Sequence, residues 1–125
     1  MKPDLTDVLS LIAATVFVDK QVFKSEIEAF IQSTYKLKIV KRLDPEISEA
    51  KLTQWFEANK DEIRQKVSTP YYKDWFYEVL ERLMNVSDKD DILNVMRKVS
   101  HADGHVHISE RALISLSERY WSPIA

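Results

Sequence analysis

The 125-residue chain has no cysteine, one glycine and four prolines. Without thiols it forms no disulfide, builds no thiolate metal site and offers no cysteine nucleophile. One glycine leaves nothing for a phosphate-cradling loop and little for the tight turns of a sheet-rich fold. Long apolar runs are missing as well, since none approaches the ~20 residues that span a bilayer. The N-terminus shows no basic segment followed by a signal-type core, so the chain reads as cytoplasmic. Neither charge sign dominates. Residues 1–62 carry 9 basic and 11 acidic side chains, residues 63–125 carry 9 and 9, and the net charge is -2. Nucleic acid is therefore not an expected partner, and no helix start is both basic and amide-rich enough for a DNA-reading helix.

What remains is 45% hydrophobic and 30% charged, enough apolar material for one core. The expected fold is all-α, a single domain over residues 1–125 with six helices, or seven if the middle one divides. Asp4 or Thr6 is placed to cap a first helix whose residues 8–18 are almost all apolar or small, a pattern for burial on most of its surface. A second helix over residues 25–34 buries Ile27, Phe30 and Ile31. Residues 35–40 alternate apolar and basic side chains with no second such segment to pair with, and read as an extended or irregular connection. Asp44-Pro-Glu46 has the cap, proline and first-turn acid of a helix opening. That helix carries Leu52, Trp55 and Phe56 and is expected to break near Asn59, before a short helix with Ile63 and Val67. After Thr69-Pro70, the residues Tyr72, Trp75, Phe76, Val79, Leu80 and Leu83 form one continuous helical stripe. Ser87, with Asp90 three residues on, opens a helix burying Ile92, Val95, Met96, Val99 and Ala102. After a break at Asp103-Gly104, a last helix carries Ala112, Leu113, Leu116 and Tyr120 up to Pro123.

The chain also repeats itself. Residues 4–33 laid over 88–117 match at Asp4/Asp88, Asp7/Asp91, Leu9/Leu93, Asp19/Asp103, Val22/Val106, Ser25/Ser109, Glu26/Glu110 and Ser33/Ser117. Each copy reads helix, break, helix, with an Asp at the break and a Glu seven residues later. Neither hairpin can bury its apolar face alone, so the two are expected to pack together about a pseudo-twofold axis, with the middle helices completing the bundle.

Asp103-Gly-His-Val-His-Ile-Ser-Glu110, after an apolar helix ending in Ala102, resembles the Asp-Gly-x-aliphatic-x-x-x-Glu motif of tellurite-resistance TerB-like domains. The resemblance extends to size, helical content and the occurrence of the motif near both ends. It implies a non-catalytic stress-response binding module that holds a divalent cation, with the role falling on Asp19, Glu26, Asp103 and Glu110. This chain departs from the family pattern at Lys20, which replaces a glycine, and at Phe23 and His107, which stand where a capping Ser or Thr is frequent.

The residues themselves leave several chemistries open. Asp103, Gly104, Val106 and Glu110 fit positions 5, 6, 8 and 12 of an EF-hand loop. Positions 1 and 3 fall on Val99 and His101, or on Thr15 and Phe17 in the first copy, which cannot wrap a hard cation. Four carboxylates shared between the two breaks suit calcium better, because it takes six to eight oxygens. Glu26 and Glu110 also fit plain first-turn acids, worth ~0.3–1 kcal/mol each, and Asp103-Gly104 fits an ordinary turn. His101, His105 and His107 form a weaker, zinc-type alternative. A divalent-metal hydrolase would draw on Asp103, Glu110 and a histidine. Ser100 and Ser109 near those histidines lack the orienting acid and oxyanion hole of a triad, so an enzyme is not expected. The basic-apolar stretch 35–42 reads first as a solvated connection whose apolar residues cap the core, and second as peripheral contact with an anionic membrane or an acidic partner.

Overall fold

The computed structural model describes residues 3–18, 22, 24–86, 88–102 and 108–121. Seven helices lie among them: α1 (Pro3–Phe17), α2 (Lys24–Thr34), α3 (Lys38–Leu43), α4 (Glu49–Ser68), α5 (Tyr72–Arg82), α6 (Lys89–His101) and α7 (Ile108–Trp121). No strand occurs among the described residues. No described helix is long and apolar enough to cross a membrane.

The arrangement follows from α1. Leu5, Val8, Leu9 and every residue from Leu11 to Val18 are buried, and a helix apolar all round must be surrounded. Helices α2, α3, α4, α5 and α6 all pack against it, while α7 lies outside on α5 and α6. Aromatic rings join α1, α2 and α4 on one side. Phe56 stacks on Phe17 with centroids 5.6 Å apart, and Phe30 lies 5.5 Å from Phe56 and 6.3 Å from Trp55. On the other side, the Trp121 indole N–H of α7 donates to the Leu80 carbonyl of α5 at 3.1 Å. The Arg82 guanidinium of α5 grips the buried Asp7 carboxylate of α1, with Nε 3.1 Å from both oxygens. That hydrogen bond raises the Arg82 pKa; partial burial opposes the shift, and the charges of Asp7 and Glu78 add to it.

Six or seven helices were expected, and seven are present with a different division. Helix α4 runs unbroken through Asn59, whose amide donates to the Trp55 carbonyl at 2.8 Å and so follows the helix. The seventh helix is α3, in the stretch expected to be an extended connection. Its Leu37, Ile39 and Val40 are buried, a grouping that one helical turn supplies as readily as an alternating strand. Helix α4 does not open at Asp44. Asp44 instead forms a turn, its carboxylate accepting from the Glu46 N–H at 3.2 Å, and Ser48 caps α4 by accepting from the Lys51 N–H at 3.2 Å. Asp4 and Thr6 already lie within α1 rather than ahead of it. The α5 stripe stands as expected, with Phe76, Val79, Leu80 and Leu83 buried. Ile92, Val95, Met96 and Val99 of α6 are buried likewise, and Ser87 lies outside the described residues.

Thr15 is fully buried in the middle of this core, and among the described residues its hydroxyl oxygen has no hydrogen-bond partner. A buried hydroxyl left without a partner costs about 1–3 kcal/mol. Thr15→Val keeps the shape and removes the hydroxyl, so chemical denaturation should show an increase in stability of about 1 kcal/mol.

Candidate cation site at the helix breaks

Two carboxylates sit where the heptad pattern calls for apolar side chains. On α2 the buried residues are Glu26, Phe30 and Thr34, one turn apart. On α7 they are Glu110, Leu113, Ile114, Ser117 and Trp121. Glu26 and Glu110 are both 0% exposed, and each lies in the first turn of its helix. They are also a matched pair of the internal repeat. A surface first-turn acid gains ~0.3–1 kcal/mol from the helix amides. A fully buried carboxylate loses several kcal/mol of hydration, so helix capping of the surface kind does not account for two of them. Buried charges persist where an opposite charge, donor hydrogens or a cation meet them.

The apolar registers differ from expectation for this reason. Ile27 and Ile31 of α2 are only half-buried, and in α7 Ala112 is exposed while Leu116 and Tyr120 are half-buried. Hydropathy assigns those residues to the core, but the inward face of each helix is the one that carries the glutamate. Leu113 is buried as expected.

Helix α6 braces the region between the two glutamate helices, packing on both α2 and α7. Arg97 of α6 reaches Glu118 of α7 at 2.7 Å and its own Asn94 at 2.8 Å. Buried Ser100 and Ser117 turn their hydroxyls onto the Arg97 and Leu113 carbonyls, at 2.9 and 3.0 Å. Ser100 is thus held within its helix rather than offered as a nucleophile. The two hairpins pack together through α1·α6 and α2·α6. A strict twofold would also pair α7 with α1, and that contact is not among the principal helix packings, so the halves are related loosely at best.

Of the sequence-selected ligands, Asp19, Asp103, His105 and His107 lie outside the described residues. His101 ends α6 and is exposed. Among the described residues no group of three or more His, Asp or Glu is placed to hold a metal ion. Val99, Thr15 and Phe17, where an EF-hand loop would begin, are buried residues inside helices α6 and α1. Buried residues in regular helix do not offer the exposed oxygen donors with which such a loop begins.

The basic stretch also takes a definite form. Leu37, Ile39 and Val40 face the core, and Lys36, Lys38, Lys41 and Arg42 face outward. Lys36 and Lys41 lie over the Tyr35 ring at 5.8 and 5.7 Å, and Arg42 pairs with Asp88 at 3.1 Å. Its apolar side chains are spent on the fold, which leaves charge alone at the surface.

No known family model, curated protein or solved structure matches this chain. Its functional reading rests on its own residues.

Proposed function

We propose that the chain is a non-catalytic binding module of the tellurite-resistance TerB-like type, which holds a hard divalent cation at its two acidic helix breaks and presents that site to a protein partner. The observation that carries the reading is the complete burial of Glu26 and Glu110 at equivalent places in the repeat. Both are oxygen donors, and both sit in the first turn of a helix, seven residues after the second motif acid, Asp19 or Asp103. Such a set fits calcium or magnesium and does not fit zinc or copper, which favour nitrogen and sulfur. A bound cation would neutralise the carboxylates and tie the two hairpins together. Glu26 and Glu110 would supply fixed ligands from rigid helices, and Asp19 and Asp103 would supply ligands from the breaks. Calcium titration of metal-stripped protein, with thermal unfolding as the readout, tests this. The melting temperature is expected to rise saturably with calcium, and an Asp103→Ala variant is expected to lose that rise. Unfolding that ignores calcium in the wild type would remove the cation from the proposal.

A further inference from the structure

Helices α5 and α7 lie side by side and leave a surface cleft of about 470 Å³ between them. Its walls are Tyr72, Lys73 and Tyr77 from α5, and Leu116, Arg119 and Tyr120 from α7. Three features set it apart from ordinary surface. First, it holds apolar side chains that the core did not take: Ala112 is exposed, Leu116 and Tyr120 are half-buried, and Tyr77 is 40% exposed. Second, the Tyr77 and Tyr120 rings meet across it, 5.4 Å apart and tilted by 43°. The Tyr120 hydroxyl is anchored on the Glu81 carboxylate, which fixes that ring. Third, Lys73 and Arg119 stand at the rim, exposed and without an ion-pair partner among the described residues. The residues that line the cleft thus include two cations over an aromatic and aliphatic wall and no carboxylate, while Glu81 beside it keeps its negative charge on the Tyr120 hydroxyl.

The geometry points to a binding site for a small planar aromatic anion, a flat ring bearing a carboxylate, sulfonate or phosphate group. The cleft volume lies within the ~300–1,000 Å³ of small-molecule sites. Tyrosine rings favour offset or edge contact with another ring. The guanidinium of Arg119 offers a planar fork of donors to an oxyanion, and Lys73 adds a mobile point charge. None of these side chains belongs to the acidic set at the helix breaks, so the two sites fail or stand separately.

The probe is 8-anilinonaphthalene-1-sulfonate, titrated by fluorescence into the folded full chain, beside its uncharged analogue N-phenyl-1-naphthylamine. One saturable site is expected for the anion. The Lys73→Gln/Arg119→Gln double variant should bind about fivefold more weakly, as two exposed ion pairs imply. Tyr77→Ala should cost about tenfold through lost ring contact. Lys98→Gln, an exposed lysine on α6, should leave binding unchanged. Circular dichroism confirms that each surface variant is folded. Equal affinity for the uncharged analogue would overturn the anion, and affinity unaltered in all the cleft variants would overturn the site. Failure to saturate would overturn both.

The Tyr120–Glu81 contact makes a prediction of its own. The neutral phenol donates to the carboxylate, and this bond, with burial and the charges of Glu81 and Tyr77 behind it, raises the Tyr120 pKa above the ordinary 10.0. A raised folded pKa means that the bond supports the fold below pH 10 and is lost as pH rises through the higher folded value. Phenolate absorbance should show a late-ionising tyrosine that returns to the ordinary range in Glu81→Gln.

Discussion

Truncating Phe56 to alanine is expected to lower the unfolding free energy by about 4 kcal/mol, the middle of the range for buried aromatic residues. The ring is 2% exposed, stacks at 5.6 Å on Phe17 of α1 and touches Phe30 of α2 at 5.5 Å. Removing it opens a cavity where three helices meet, and the neighbouring rings cannot collapse into the space without leaving their own partners. Typical stabilities are ~5–15 kcal/mol, so the variant should be marginal at 37 °C. Phe56→Leu fills most of the volume and should lose less than half as much. Urea unfolding with matched slopes distinguishes the two. Equal losses would mean that the aromatic contacts, rather than the filled volume, hold α4 in place.

Glu26→Gln and Glu110→Gln are the second pair of large effects. The change keeps size and burial while removing the charge that a cation requires. At calcium one hundred times its dissociation constant, the wild type should gain ~2.7 kcal/mol from binding to the native state alone. Either variant should lose most of that gain. Without calcium each variant should differ from the wild type by a fixed amount, and added calcium should widen that gap in favour of the wild type. The proposal thus predicts a difference that depends on the ion. A purely structural role for the two carboxylates predicts one difference under both conditions.

The fold was legible where one periodicity was strong and unopposed. The α5 stripe from Tyr72 to Leu83 and the α6 face from Ile92 to Val99 carry apolar side chains on a single face. Helix α3 was not legible, because in six residues a buried Ile39-Val40 step resembles a strand as much as a turn of helix. The opening of α4 was misplaced because Asp44-Pro-Glu46 and Ser48 are both sound start signals. The hydroxyl that meets a free amide of α4 belongs to Ser48, while Asp44 spends its carboxylate on the preceding turn and on Lys51 at 2.7 Å.

The inward face of α7 was hidden for a more informative reason. That helix has two usable apolar faces, and the one turned inward includes Glu110 and Ser117. Hydropathy discards such a face, whereas the repeat pair Glu26/Glu110 falls on the inward face of both helices. The cleft wall formed by Ala112, Leu116 and Tyr120 was hidden in the same way, because apolar residues at helical spacing resemble a core face. Leftover apolar side chains on a helix whose core face is already complete were the available signal.

The most direct test of the cation proposal is an amide NMR titration of the metal-stripped chain with calcium, followed by magnesium and zinc. The proposal predicts saturable shifts on both sides of both breaks, centred on Glu26 and Glu110 and appearing together with one affinity. Shifts confined to residues 101–107 and seen with zinc alone would assign metal binding to the histidines instead. No saturable change at millimolar calcium would contradict the account, and would leave the buried glutamates as parts of the fold alone.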